Sequence, residues 1–155
     1  MPTRLHNCNL ETMAQKQYKA INLATQASTH TKPWNPECLF TVDDHSHSHK
    51  LAKFSGGFAW HSHPNTDETF LVVSVGPIKI KLHTSARSPE AAEREGSTEA
   101  VEIRQGEIFC VPRGMQHRPS AEVEAGVLMV ERVGTVNTGD RLGSEMRVVV
   151  EESGR

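Results

Sequence analysis

Apolar residues along the chain gather in short β-branched and aromatic runs, not in a helical stripe. The runs are Cys38–Val42, His49–Phe54, Thr69–Val75, Ile78–His83, Val101–Ile103, Ile108–Val111 and Val127–Val130. Turn-forming residues separate them: Asp43-Asp44, Gly56-Gly57, Pro64-Asn65, Gly76-Pro77, Gly106, Pro112-Arg113-Gly114 and Gly126. Closely spaced short strands with turn signals predict an all-β sandwich or barrel. A parallel α/β sheet is excluded, because no amphipathic run is long enough for a crossover helix. Residues 1–34 are polar and weakly patterned, with one alternating run at Tyr18–Leu23 that predicts a strand, and read as an N-terminal arm. The β-domain spans 35–133 and a C-terminal tail spans 134–155, with Met146–Val150 as a candidate edge strand. Ser85–Ala100 is charged and Ala/Glu-rich, and predicts a surface insertion with one helical turn; a lid or an oligomer contact is its other reading.

Composition narrows the function. The 155 residues suit one domain, and 17 Lys+Arg against 19 Asp+Glu give a net charge of -2. Neither a basic nucleic-acid surface nor an acidic disordered tail is indicated. No stretch approaches the ~18 apolar residues of a membrane span, and the N-terminus lacks a secretory h-region, so a cytoplasmic location is expected. Cys8, Cys38 and Cys110 contain no Cys-x-x-Cys pair and read as reduced thiols, Cys110 as a buried small hydrophobe. Histidine is the outlier: there are nine, seven of them between His45 and His117.

The densest chemistry lies in Gly56-Gly57-Phe58-Ala59-Trp60-His61-Ser62-His63-Pro64-Asn65-Thr66-Asp67-Glu68. On an extended chain, residues i and i+2 share a face, so His61 and His63 project together while Phe58 and Trp60 are expected on the opposite side. A turn at Pro64–Thr66 brings Glu68 back to the same face at the start of the next strand, with Phe70 and Val72 following it inward as candidate pocket walls. Gly106 to His117 can deliver a third imidazole, with Pro112 ending a strand and Gly114 letting the loop swing His117 inward. Three histidines and one carboxylate suit a divalent transition metal (Fe, Mn, Co, Ni, Cu or Zn) and not Ca or Mg.

These blocks resemble the two cupin motifs. The first is glycine, His61-x-His63, Glu68 and a closing Gly76; the second, Gly-x5-Pro-x-Gly-x2-His, is matched from Gly106 to His117. The resemblance covers about residues 38–133. The chain is similar to small single-domain cupins of the mannose-6-phosphate-isomerase-like or RmlC-like kind, through His61–Pro64, Asp67-Glu68 and Asn137–Asp140. It implies a double-stranded β-helix, or jelly roll, with the metal inside the barrel on His61, His63, Glu68 and His117. Seven residues separate Glu68 from Gly76, one more than the pattern, which implies a bulge or a shifted turn; Ala121 stands where the second motif often carries Asn.

A metal held by four protein groups keeps positions for water, substrate or dioxygen. The reading is a metal-dependent enzyme acting on a small organic molecule, with dioxygenase ahead of isomerase or lyase and Glu68 both ligand and proton shuttle. The alternative is a non-catalytic cupin that binds a small ligand or metal. Candidate cofactors are Fe, Mn, Ni and Zn. No Gly-rich phosphate cradle marks a sugar-phosphate substrate. His45, His47 and His49 alternate and would share a strand face as a second metal site, although without a carboxylate at matching spacing a solvated turn and edge strand is favoured. Strands apolar on both faces, such as Phe70–Val73 and Val127–Val130, lead to an expected sheet-on-sheet homodimer.

Overall fold

The computed structural model describes residues 19–152. Strands run in the order β1 (Glu37–Val42), β2 (His47–Gly57), β3 (Glu68–Val75), β4 (Ile78–His83), β5 (Glu99–Ile103), β6 (Ile108–Val111) and β7 (Gln116–Arg132), every pairing antiparallel. Two short helices join them, α1 (Leu23–Ser28) before β1 and α2 (Pro89–Glu95) between β4 and β5. Along the sheet the order is β1-β2-β7-β3-β6, with β4 pairing both β7 and β5. The 17-residue β7 closes the barrel: its start pairs β4 from Gln116 to Ser120, and its end pairs β2 and β3 up to Arg132. The fold is an all-β jelly roll of the double-stranded β-helix type.

Strand alternation fills the interior. In β4, Ile78, Ile80 and Leu82 are buried while Lys79 and Lys81 are exposed. In β3, Glu68, Phe70 and Val72 point inward. They join Ala52, Phe54, Ile103, Val111, Ala121, Ala125, Val127 and Met129 in one core. The extra residue before Gly76 appears as a register shift between Val72 and Ser74, followed by positive φ at Val75 (58°) and Gly76 (88°).

Several local expectations change. Of the strand expected over Tyr18–Leu23, Tyr18 lies outside the described residues, 19–22 form no strand, and Leu23 begins α1, whose start is capped by the Asn22 side chain accepting from Thr25 N. Ala27 of this helix packs with Leu39 and Leu51 against Val73 and Leu128, so the second apolar sheet face is covered in part by this same chain. The insertion holds two helical turns, because Ser88 caps and Pro89 opens a helix that Gly96 ends. Ala86 and Ala92 bury Trp60 there, and His83 accepts from Ala86 N at 2.9 Å. Met146–Val150 forms no strand; the Asn137 side chain takes the backbone bonds of Met146 O and Val148 N. Cys110 is exposed, since β6 is an edge strand and its alternate residue faces outward; Cys8 lies outside the described residues.

Candidate metal centre

The first two ligand-type histidines sit on a loop, not on a strand. β2 ends at Gly57, and the chain runs irregularly until β3 except for one bridge, where His61 and His117 exchange both backbone hydrogen bonds at 3.1 and 2.8 Å. Alternation therefore fails at Phe58, which meets the His61 ring edge-on at 5.2 Å and faces the cavity, against expectation. Gly114 N donates to His63 O at 2.9 Å, and Arg113 N to Asp67 Oδ1 at 2.9 Å, so the two motif loops are stitched to one another.

The structure brings His61, His63, Glu68 and His117 together, all buried, with one potential ligand atom from each within 4.8 Å of the others. Among the described residues this is the one such group, and the His45–His49 run does not form another. There His45 sits in a turn at φ 63° and bonds Thr41, His47 opens β2, and His49 stacks on Phe40. Phe70 lines the cavity beside Glu68, while Val72 is packed in the core one pleat further on.

The donor set fits a metal. His61 Nδ1 and His117 Nδ1 each face a backbone carbonyl, Ala59 O and Met115 O, at 2.9 Å. A carbonyl only accepts, so both Nδ1 atoms carry protons; the His61 Nε2 lone pair is left for a cation, while His117 Nε2 and Glu68 Oε2 share a proton that a bound cation would displace. Glu68 Oε2 lies 3.0 Å from His117 Nε2 and 3.1 Å from His63 Nε2, and His63 Nε2 has no well-aligned hydrogen-bond partner. Lone pairs and a carboxylate crowded together in a buried site are balanced by shared protons or by a cation. The electrostatics follow from this. Burial, then His117 and His63, push the His61 pKa well below its ordinary value. At Glu68 burial acts upward, but His63 and His117 outweigh it and hold the carboxylate well below its usual range. Burial would lower His63 too, yet Glu68 raises it on balance.

A second network holds the loop from behind. Asp140 accepts from Ser62 N (2.6 Å), Ser62 Oγ (2.9 Å) and Gln116 Nε2 (2.7 Å). The turn that carries it needs Gly139, at φ 48°, where an added Cβ would collide with Ser62 O and lie 3.0 Å from His63 Nδ1. Gly139→Ala should therefore cost about 2 kcal/mol or more, read as a melting-temperature drop of about 5 °C. It should also weaken metal retention, because His63 must move; unchanged values of both would show the turn to be compliant.

The cavity above the cluster is walled by Trp34, Phe54, Phe58, Phe70 and Met129, with His61, Glu68, Lys50, Glu131 and Asn137 as its polar lining. Trp34 lies 4.3 Å from Phe54 and 4.8 Å from Phe58 between ring centroids, and donates to Ser55 O. Sequence reasoning missed Trp34, Lys50 and Glu131. Lys50 Nζ lies 2.9 Å from Glu131 Oε1, 2.6 Å from Glu152 Oε1 and 3.0 Å from Thr135 O.

No family model matches the chain. It is 28% identical over 93 residues to the Bacillus subtilis protein YdbB, covering 59% of this chain and 70% of that one. Hydroquinone 1,2-dioxygenase from Sphingomonas superposes with a TM-score of 0.57 at 18% identity over 71% of each chain, a likeness of fold. A cupin-2 domain protein from Shewanella frigidimarina superposes with a TM-score of 0.61 at 27% identity, over 77% of this chain and 98% of its own length. That near-complete overlap, on a barrel whose interior gathers both histidine motifs, makes this chain a small cupin.

Proposed function

We propose that this cupin is a metal-dependent enzyme acting on a small organic molecule, with dioxygenase chemistry ahead of isomerase or lyase chemistry. The observation that carries the proposal is the placement of the ligand cluster: His61 and Glu68 form part of the wall of an aromatic cavity. A cluster at a cavity wall can meet a substrate, which one sealed in the core cannot. His61, His63, Glu68 and His117 would hold the metal, which when bound supplies Lewis acidity or, if redox-active, electron exchange with dioxygen. The hydroquinone 1,2-dioxygenases share this barrel, so dioxygen uptake is the first chemistry to test.

The chain's own residues do the rest. Trp34, Phe54, Phe58 and Phe70 orient a flat molecule by its faces and exclude water. Proton uptake and return are assigned to Glu68, whose Oε2 lies between the His63 and His117 Nε2 atoms. The test is dioxygen uptake by Fe(II)-loaded protein with catechol, hydroquinone and acetylacetone, beside Zn, Mn and Ni forms assayed for isomerised or cleaved product. Glu68→Gln with its metal retained should lose about 100-fold or more in turnover. Unchanged turnover in that variant removes Glu68 as proton carrier. No metal-dependent turnover on any probe leaves a non-catalytic binding cupin.

A further inference from the structure

The polar end of the cavity is built from one cation and one carboxylate, and they are not equally engaged. Lys50 is 1% exposed; its ammonium donates to Glu131 Oε1 and Thr135 O and lies 2.6 Å from Glu152 Oε1, so its charge is met by two carboxylates. Among the described residues lining the cavity it is the one Lys or Arg side chain, so no uncompensated protein cation waits there for a carboxylate or phosphate. Glu131 is the converse case. Its side chain is 3% exposed and lines the cavity; Oε1 is held by Lys50, while Oε2 is buried without a hydrogen-bond partner. A buried oxygen of this kind is costly to leave unsatisfied, and a ligand that brings a donor removes that cost.

We infer that Glu131 is a substrate-binding residue, and that the molecule this cavity takes is a flat, uncharged compound carrying a hydroxyl or similar hydrogen-bond donor, which it gives to Glu131 Oε2, in preference to an anionic acid or phosphate. The aromatic walls bind the ring, and Glu131 reads the donor. The inference rests on the cavity being the substrate site proposed above, and it names the class of molecule that enters.

Three probes of one size test it: phenol, its methyl ether anisole, and benzoate. Binding to the metal-loaded protein is followed by tryptophan fluorescence, to which Trp34 and Trp60 both contribute but of which only Trp34 lines the cavity, and by calorimetry at pH 8.5, above the value of about 7 to which burial and the Glu68 charge push Glu131. Phenol is expected to bind at least about tenfold tighter than anisole or benzoate, the span of one charge-assisted hydrogen bond. In Glu131→Gln, Lys50, a pure donor, keeps the amide oxygen, so the amide NH2 replaces Oε2 and donates where the carboxylate accepted. Phenol should then lose its advantage over anisole, and benzoate should gain. Equal binding of phenol and anisole by the parent, tighter binding of benzoate, no phenol binding, or a phenol preference that survives Glu131→Gln each overturn the inference. The parent comparison decides even if the variant fails to fold. Metal content and turnover measured on the same samples separate the two readings: a phenol preference without metal-dependent turnover keeps the ligand class and removes the enzyme.

Discussion

Protein prepared without an affinity tag or added metal is expected to carry about one equivalent of a transition metal, and His61→Ala/His117→Ala less than a tenth of that. The two imidazoles removed are the ones whose Nδ1 protons the backbone fixes, through Ala59 O and Met115 O, so both aim Nε2 at the site. What remains is His63 and Glu68, and Glu68 loses its contact with His117 Nε2. Changing a residue behind a ligand costs about 10–100-fold in metal affinity; losing two ligands should cost far more. Far-UV circular dichroism keeps loss of metal apart from loss of fold. Iron in the parent directs the assays to dioxygen, and Zn, Ni or Mn directs them to isomerisation and cleavage. Equal metal in both proteins would place binding elsewhere, with His45, His47 and His49 examined first.

The barrel and the cluster were legible because both rest on short-range rules. Alternation located β3 and β4 within a residue or two, and the spacing of His61, His63, Glu68 and His117 pointed to the buried cluster they form. The rules failed where backbone hydrogen bonds, not side-chain pattern, decide conformation. Phe58 faces the cavity because the chain leaves the sheet at Gly57. The first half of β7 was missed because the apolar run begins only at Val127, whereas pairing with β4 holds Gln116–Ser120 in the sheet. Trp34 reaches the cavity through tertiary packing, its backbone N donating to Lys53 O, which no local pattern reports. Lys50 and Glu131 had a usable signal: each lies two residues from an inward apolar position, Ala52 and Met129, so alternation puts a cation and a carboxylate inside the barrel. Two ionisable residues on inward faces mark a site or a pair, and here they mark both.

Lys50→Met should be the most destabilising single change outside the ligand cluster, and its cost should depend on pH. Methionine matches the stem in length and leaves Glu131 buried without its partner. At Lys50 burial acts downward on the pKa, but Glu131 and Glu152 raise it on balance. A raised ammonium pKa stabilises the fold at every pH below the unfolded value of 10.5, so its contribution is fully present across the neutral range. Glu131 behaves oppositely to a typical surface carboxylate. Burial and the nearby Glu68 charge raise it from 4.5 to about 7 even with Lys50 beside it. A carboxyl raised in the fold favours folding below its unfolded pKa, and that advantage is lost as pH climbs through the folded value. Without Lys50 the Glu131 pKa rises further, and the unpaired carboxylate must be carried or neutralised at higher pH. The cost of Lys50→Met should therefore be smaller near pH 5, where Glu131 is protonated and Glu152 is the one carboxylate that loses its cation. It should grow to about 3–5 kcal/mol by pH 8.5, the range for breaking a buried pair by removing one partner. Denaturant unfolding of both proteins at matched metal content, at pH 5 and 8.5, measures it. The double change Lys50→Met/Glu131→Gln should recover the part of the loss that Glu131 carries at pH 8.5, since the carboxylate then left without Lys50 is Glu152, which keeps its bond from Gly134 N. A cost independent of pH, or no recovery in the double variant, would show that Lys50 acts through packing of its stem and not through the carboxylate it neutralises.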